Sequence, residues 1–491
     1  MVPSHMELGN IPKQGRFKSE SCPLPEAFKA RMKRLLGAEF DAFMDSCLRE
    51  SLQALRLNPL KYEKKKLIDL FGQGTELASF FHLKRVDWEE CGFYFEREDE
   101  PGRSAYHDAG VYYIQEPSAQ FPVNLLEVSP DDQRILDLCA APGGKSTQIA
   151  AKMEGKGILI ANEIHPARAG ILSGNIERMG VRNAVVLNET PKHLAECFSG
   201  CFDRILVDAP CSGEGMFRKN PEAIAQWSVE NVRLCAERQK EILEYAEGML
   251  KPGGRIVYST CTFSEEENEE VIEAFLKKHP DYELKEQRRL YPHREMCEGH
   301  FAAALEKKAY SGSEGTGFVK NGLQRSLPRK EVMDFYGFAK EALKEDNSLK
   351  LWDGEAKEHV FLRFGDNLYL APEGTPSLKG IRVMRPGLQL GTGLKNRFVP
   401  SHALALALRP EDVNRALKLK TYLTGELLGD GAVCTTAEPG RMTEDYLKGL
   451  TFPAGGENGW HLICADCFSL GWGKLSNGIM KNHYPRGLRR Q

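Results

Sequence analysis

The chain has 491 residues, with 66 Lys and Arg, 69 Asp and Glu, and a net charge of -3. This length suggests roughly two to four domains. A near-neutral total does not exclude a nucleic-acid partner, because basic residues need to gather on only one face. The sequence shows no secretory leader and no apolar run near the ~20 residues of a membrane span, and its 13 cysteines are scattered. We therefore expect a reduced, cytoplasmic protein that does not contact membranes.

The N-terminal region mixes helical and strand patterns. Apolar residues at helical spacing predict two helices between residues 25 and 52. A short strand at Ala54–Leu57 and a lysine-rich helix near Lys61–Leu70 follow. These pieces predict a small α+β domain.

A different pattern begins near Tyr113, where short apolar strands alternate with helices. Pro166–Met179 and Val229–Leu250 are predicted helices. The alternation predicts an α/β fold with a doubly wound parallel sheet, in which ligands bind beyond the carboxyl ends of the strands. The predicted strands are Ile135–Leu138, Gly157–Ala161, Ala184–Leu187, Arg204–Val207 and Arg255–Ser259.

Basic residues gather in two C-terminal tracts that contain no Asp or Glu. The first runs from Thr375 to Pro410, and the second begins at Gly471. Each tract taken alone is compatible with an ordinary solvated face, and each also suits a phosphate backbone. The basic residues are Lys379, Arg382, Arg385, Lys395, Arg397, Arg409, Lys474, Lys481, Arg486, Arg489 and Arg490.

A glycine-containing loop, Cys139–Lys145, directly follows the first core strand and precedes a helix. Gly143 and Gly144 allow a ligand to approach the backbone, and the helix N-terminus offers free N–H groups. Glu163 ends the next strand, where a carboxylate can bind ribose hydroxyls. The loop has neither dinucleotide nor triphosphate-loop spacing. These features favour a nucleoside-type cofactor over a simple tight turn.

Two cysteines follow the last two core strands. Cys211 comes after Asp208, and Cys261 lies before Ser264 and Glu267, which have the spacing of a capping box that would start a helix. A thiolate that adds to carbon 6 of cytosine makes carbon 5 nucleophilic, and a nearby carboxyl such as Asp208 can donate a proton to the ring nitrogen. Each cysteine alone reads as a small buried residue. The pair indicates covalent chemistry, without showing which cysteine attacks.

A second cysteine pair, Cys464 and Cys467, has the spacing of metal ligands. No second pair with suitable spacing accompanies it. We therefore predict no metal site.

Three motifs together resemble the RsmF-type (Sun/Nop-related) family of S-adenosylmethionine-dependent rRNA cytosine-5 methyltransferases. They are Cys139–Lys145, Asp208–Gly215 and Thr260–Ser264, and the likeness extends upstream to Leu24–Phe28. In the tail, Gly471–Lys474 and Lys481–Pro485 look like the family's PUA-like RNA-binding domain. The resemblance implies a Rossmann-like class I methyltransferase core with a mostly parallel sheet of seven strands, where spacing alone predicts five.

The resemblance also implies roles for individual residues. Cys261 would be the covalent nucleophile, Cys211 would assist product release, and Asp208 would lie between the methyl donor and the target base. Glu163 would bind the cofactor ribose, and Glu189 is the weaker match for the adenine side, where the family often has Asp. The remaining residues implied to hold S-adenosylmethionine are Cys139, Ala140, Ala141, Pro142, Gly143, Gly144 and Lys145.

The expected partner is ribosomal RNA of the small subunit, with the protein acting as a monomer. A single-stranded or loop cytosine is the expected target, since the base must leave any stack. Transferases acting on tRNA or DNA, and a non-catalytic ribosome assembly factor, are the alternatives. The predicted organisation is a tail (1–20), an N-terminal RNA-binding domain (21–112), the methyltransferase core (113–310), a linker (311–330), a basic intermediate region (331–410) and a PUA-like domain (411–491).

Overall fold

The computed structural model of the protein describes residues 24–72, 74–309, 317–351, 360–394, 397–421, 433–434 and 440–491. The predicted tail and the first six residues of the predicted linker (311–316) lie outside these residues, as does Lys395. None of the helices in this part of the chain combines the length and apolar character needed to cross a membrane.

The N-terminal region contains the two predicted helices followed by a small sheet. Its elements are α1 (Glu26–Leu36), α2 (Phe40–Cys47), β1 (Gln53–Leu57), α3 (Lys64–Phe71), α4 (Glu76–Phe80), β2 (Lys84–Val86), β3 (Glu89–Phe95), α5 (Ala105–Asp108) and β4 (Tyr112–Ile114). The four strands pair in the order β2-β3-β1-β4. The apolar face of α1 and α2 does not pack on this sheet. It packs instead on residues that follow the two predicted active-site cysteines, including Phe217, Trp227 and Phe263.

The central region alternates strands and helices as predicted. Its elements are α6 (Pro122–Leu125), β5 (Arg134–Asp137), α7 (Gly144–Lys152), β6 (Ile158–Asn162), α8 (Pro166–Arg178), β7 (Ala184–Leu187), α9 (Pro191–Cys197), β8 (Phe198–Ser199), β9 (Phe202–Asp208), α10 (Pro221–Gln226), α11 (Val229–Met249), β10 (Leu250–Thr260), α12 (Glu269–Lys278), β11 (Tyr282–Leu290) and β12 (His300–Lys307).

The C-terminal region is richer in strands. Its elements are β13 (Phe318–Val319), α13 (Met333–Ala342), β14 (Val360–Phe364), β15 (Asn367–Ala371), β16 (Val383–Arg385), β17 (Leu388–Leu394), β18 (Arg397–Pro400), α14 (His402–Ala407), β19 (Ala416–Leu419), β20 (Val433–Cys434), α15 (Arg441–Leu447), β21 (Phe452–Pro453), β22 (Gly459–Ala465), β23 (Phe468–Ser476) and β24 (Ile479–Asn482). They form a four-stranded sheet, β14-β15-β17-β18, and a six-stranded sheet, β20-β19-β22-β23-β24-β21.

The core sheet has the order β11-β12-β10-β9-β5-β6-β7-β16. The five predicted strands form its parallel centre, from β10 to β7. They read as apolar runs because helices cover both faces of the sheet. Two more strands complete the seven that the resemblance implies: β12 pairs antiparallel with β10, and β11 pairs antiparallel with β12. An eighth strand, β16, comes from the first acid-free tract and pairs with β7.

One local prediction is wrong. Ser264 and Glu267 do not form a capping box, because α12 begins at Glu269 and Asn268 precedes it. Glu267 instead accepts hydrogen bonds from Ser212 and Gln239. The turn after β10 is therefore tied to the turn after β9 rather than to its own helix.

Candidate active site

Two side chains of α8 fix the backbone of the loop between β5 and α7. Arg168 donates to the carbonyl of Ala141 at 2.8 Å, and Asn175 donates to that of Pro142 at 2.9 Å. Gly143 has φ +112°, a conformation that favours glycine, and precedes the first residue of α7. The free N–H groups of α7 therefore face the rim of the sheet.

A cleft of about 200 Å³ lies against this loop. Asp137, at the end of β5, contributes to its wall and is fully buried. One carboxylate oxygen of Asp137 accepts from the Ser146 hydroxyl at 2.6 Å, and the other has no hydrogen-bond partner among the described residues. Burial raises the pKa of Asp137 to about 7. The other lining residues are Tyr113, Ile114, Gln115, Glu116, Ala119, Cys139, Ala140, Ala141, Pro142, Gly144, Lys145 and Asp208.

Asp208 lies at the end of β9 and is surrounded by side chains of α7, β10 and β12. Its Oδ2 accepts from Lys145 Nζ at 2.8 Å, and its Oδ1 accepts from Ser259 Oγ at 2.8 Å. His300 Nε2 lies 3.8 Å from Oδ1. Burial by itself would raise the pKa of Asp208, but Lys145 and His300 outweigh it and hold the pKa well below its usual range. The site thus carries an ionised carboxylate beside the cofactor loop.

The two predicted cysteines lie side by side. Cys211 Sγ and Cys261 Sγ are 3.4 Å apart. The contact with Cys261, together with burial, raises the pKa of the Cys211 thiol well above its ordinary value. Cys211 therefore keeps its proton.

A buried carboxylate joins the two cysteine-bearing turns. Glu267 accepts from the backbone N–H of Ser212 at 2.9 Å and also from the Ser212 hydroxyl. The same hydroxyl lies 2.9 Å from Thr262 Oγ1. Residues adjacent to Cys211 and Cys261 are thus bound to each other, which fixes the spacing of the two sulfur atoms.

Glu163 and Glu189 follow β6 and β7 and lie outside the residues that line the cleft in the described part of the chain. Glu163 is 3 % exposed and accepts from the backbone N–H of His165 at 2.9 Å. Glu189 accepts from the backbone N–H of Arg382 at 2.8 Å and lies 3.0 Å from His193 Nδ1. The carboxylate of Glu189 is therefore already engaged by the start of the first acid-free tract.

Sequence reasoning missed several residues of this site. Ser259 and His300 contact or approach Asp208, and Glu267 and Glu214 hold the cysteine turns. Glu214 belongs to the Asp208–Gly215 motif and Ser259 is the last residue of a predicted core strand, so both could have been nominated from the sequence. His300 carries no local signal, because only the pairing of β12 with β10 brings it to the rim.

A glycine loop on a seven-stranded α/β core, with a lysine–aspartate pair and two thiols at the same rim, defines a Rossmann-like methyltransferase. Family models match along most of the chain: 16S rRNA methyltransferase RsmB/F at residues 123–306, the N-terminal domain of RsmF at 24–117, its first C-terminal domain at 337–408, and its PUA domain at 441–490.

Whole-chain relatives agree with these matches. The chain is 32 % identical to Ribosomal RNA small subunit methyltransferase F of Escherichia fergusonii, over 94 % of this chain and 96 % of that protein. The counterpart from Escherichia coli gives the same values. A solved methyltransferase homologue from Pyrococcus horikoshii is 29 % identical, covers 58 % of this chain and 95 % of its own, and has a TM-score of 0.50. The chain belongs to the RsmF family of 16S rRNA methyltransferases.

Proposed function

We propose that this protein transfers a methyl group from S-adenosylmethionine to carbon 5 of a cytosine in 16S rRNA of the small ribosomal subunit. The observation that carries the proposal is the 3.4 Å approach of Cys211 and Cys261 beside the Lys145–Asp208 ion pair. A cysteine with a purely structural role would need neither a second cysteine nor an ion pair beside it. The relatives named above are rRNA methyltransferases, which supports the choice of substrate.

The cleft beside Cys139–Lys145 suits the proposed cofactor. Asp137 offers a buried carboxylate oxygen without a partner among the described residues, which fits an amino group of the ligand. The N-terminus of α7 offers N–H donors. When bound there, S-adenosylmethionine would supply an electrophilic methyl group. We assign its ribose to Glu163 and, as the weaker proposal, its adenine side to Glu189.

Cys261 is the proposed nucleophile that adds to carbon 6 of the base. Cys211 keeps its proton, because its pKa is raised by the contact with Cys261 and by burial. Its S–H group can therefore donate a hydrogen bond to the Cys261 thiolate before attack, and again when a base removes the carbon 5 proton and the carbon–sulfur bond breaks. The retained proton suits Cys211 to product release, and attack is assigned to Cys261 because the Thr260–Ser264 motif resembles the one that carries the nucleophile of the family.

Asp208 is proposed to hold the cytosine edge. In the free enzyme it is an ionised acceptor, which suits the exocyclic amino group of the base. The Lys145 ammonium bound to it provides the proton for the neighbouring ring nitrogen as negative charge develops there. The pair thus stabilises the adduct without a separate acid.

The flanking regions are proposed to bind RNA. We assign this role to residues 21–112 and to the PUA-like residues 411–491, with the protein acting as a cytoplasmic monomer. RNA that is bound by these flanking regions then presents a cytosine that has left its stack to the core domain.

The test compares wild type, Cys211→Ala and Cys261→Ala with cofactor and unmethylated 16S rRNA on a denaturing gel, with methyl incorporation measured in parallel. We expect Cys211→Ala to accumulate a slowly migrating covalent RNA adduct, because release fails. Cys261→Ala should give neither adduct nor methylation. Cys235→Ala, a buried cysteine on α11, should behave as wild type.

Other outcomes would redirect the proposal. An adduct in Cys261→Ala would exchange the two cysteine roles. Methylation of tRNA or duplex DNA in preference to rRNA would replace the substrate. No methylation of any RNA or of assembled small subunits by wild type would favour the non-catalytic assembly factor.

A further inference from the structure

A buried carboxylate three residues after Cys211 links the active site to the N-terminal helices. Glu214 is 2 % exposed. It accepts from Arg31 of α1 at 3.0 Å and from the Trp227 indole at 2.9 Å. Its second oxygen accepts from the backbone N–H of Phe263 at 3.0 Å, two residues beyond Cys261. One side chain therefore holds α1 and both cysteine-bearing turns together.

The next residue contacts the proposed nucleophile directly. Gly215 N–H donates to the carbonyl of Cys261 at 2.8 Å. A Cβ atom at Gly215 would lie only 2.9 Å from that carbonyl oxygen and 2.7 Å from the carbonyl oxygen of Gly299. The Glu214–Gly215 backbone therefore rests against the peptide of Cys261, and a displacement of Glu214 must move Cys261.

Arg31 of α1 uses both terminal nitrogens of its guanidinium to contact the segments that follow the two cysteines. One nitrogen donates to Glu214 and the other donates to Glu266 at 2.9 Å. The side chain is 7 % exposed and lies over the Trp227 ring, 5.8 Å from its centroid. A planar guanidinium can join two carboxylates in fixed directions, which a lysine ammonium does not reproduce. Arg31 thus ties α1 to the segment after Cys211, through Glu214, and to the segment after Cys261, through Glu266.

The packing of α1 around Arg31 makes this contact rigid. Phe28 packs edge-on to Phe217 at 5.1 Å, and Phe43 of α2 packs edge-on to Phe263 at 5.4 Å. Burial raises the pKa of Glu214, and Arg31 opposes that rise. Removing Arg31 would therefore leave a buried acid without its countercharge.

We propose that Arg31 and Glu214 are positioning residues that set Cys261 against the target base, so that the N-terminal helix pair is an integral part of the catalytic centre. This inference rests on the proposed role of Cys261. It differs from a merely anchoring role, in which α1 would hold RNA or stabilise the fold without influencing the chemical step.

The test measures single-turnover methyl transfer by the full chain at saturating RNA and cofactor, for wild type, Arg31→Lys and Glu214→Gln. We expect both variants to slow the step roughly 10- to 100-fold, as small misplacements of reacting groups do. The Kd for cofactor should stay within about twofold because the loop at Cys139–Lys145 is untouched, and the Kd for RNA should do so because Arg31 and Glu214 are both buried. The double variant should be no slower than the slower single variant, because both changes break one linkage.

Arg34→Met on the same helix is the matched control. Arg34 is exposed and lies 3.5 Å from the exposed Glu265, so its loss should leave the rate unchanged. All variants are assayed at a temperature where circular dichroism shows them folded. If Arg31→Lys is too unstable, Glu214→Gln alone provides the test, because glutamine is close in shape to the native glutamate.

Three results would overturn the inference. The first is an unchanged single-turnover rate in both variants. The second is weaker RNA binding with a normal rate at saturating RNA, which is the result that the anchoring role predicts. Strict additivity of the two substitutions would show that they act separately. Failure of the proposed function is distinguishable, since wild type itself would then form no methylated RNA.

Discussion

Asp137 and Asp208 end neighbouring strands, yet their surroundings shift their pKa values in opposite directions. Burial raises the pKa of Asp137 to about 7. The pKa of Asp208, which burial would also raise, is held low by Lys145 and His300. Two carboxyl groups on one rim are thus kept in different protonation states by environment alone. Asp208 is therefore the carboxyl that stays fully ionised at neutral pH.

The raised pKa of Asp137 predicts a pH-dependent stability. The folded-state pKa of about 7 lies above the ordinary 3.8, so folding favours the protonated form. Asp137 therefore makes its full contribution to the free energy of unfolding below about pH 3.8. That contribution is lost as the pH rises through about 7, and the loss is at most about 4 kcal/mol. We expect Asp137→Asn to flatten this part of the profile, measured as urea unfolding of the cofactor-free protein between pH 4 and 8.

Asp131 supplies the control for this measurement. It is an exposed carboxylate on the loop before β5, and Asp131→Asn should leave the slope of the wild-type profile unchanged. Parallel profiles for wild type and Asp137→Asn would contradict the assignment of this pH dependence to Asp137.

At the scale of elements, the site is built from the carboxyl ends of β5, β9 and β10. These strands could be predicted because buried parallel strands read as uninterrupted apolar runs, and the turns after them carry small residues and the two cysteines. Parallel neighbours end at the same edge, so the meeting of Asp208, Cys211 and Cys261 followed from topology alone. This part of the site needed no long-range information.

The parts that could not be predicted depend on contacts between distant segments. The helical spacing in α1 shows an apolar face but not what covers it, and Phe28 packs beside Phe217 rather than on the N-terminal sheet. Glu267 had the spacing of a helix cap, but hydrogen bonds to Ser212 and Gln239 outweigh that local preference. His300 reaches the rim only through an antiparallel strand.

The glycine loop gives a prediction at this scale. Gly143 has φ +112°, and an added Cβ would lie 3.1 Å from the Leu172 side chain. Gly143→Ala should strain or rearrange the loop, at about 1–3 kcal/mol, and weaken cofactor binding roughly 10-fold. Isothermal titration with S-adenosylmethionine measures this.

Gly174 on the adjacent helix α8 is the comparison. An added methyl group there meets open space, so Gly174→Ala should leave cofactor affinity unchanged and stabilise the helix slightly. Equal affinities for both glycine variants would show that the conformation of the loop does not control binding.

At the scale of the whole molecule, the basic residues of the two acid-free tracts divide into two groups. Some hold the fold together: Arg385 pairs with Glu177, and Arg490 pairs with Asp108 of the N-terminal region and with Glu444. Others are exposed and remain available for phosphate contacts. The exposed group is Lys379, Arg397, Lys474, Lys481 and Arg486, whereas Arg382, which is also exposed, lies 3.6 Å from Glu189 and pairs with it.

This division predicts which substitutions alter the salt dependence of RNA binding. Exposed Lys and Arg that contact phosphates release counterions, so log K falls with log salt by about 0.7 per contact on single strands. Lys481→Gln and Arg397→Gln should each weaken binding and reduce that slope by about 0.7. Arg490→Gln should lower stability instead and keep the wild-type slope, because its charge is already paired with Asp108 and Glu444.

The measurement is RNA binding by filter retention between 50 and 300 mM potassium chloride, concentrations at which surface electrostatics are progressively screened. A wild-type affinity independent of salt would show that neither tract contacts the backbone. A slope that changes in Arg490→Gln but not in Lys481→Gln would instead place the phosphate contacts at the junction of the N-terminal and C-terminal regions. The two patterns separate a binding surface on the C-terminal sheets from one formed where the regions meet.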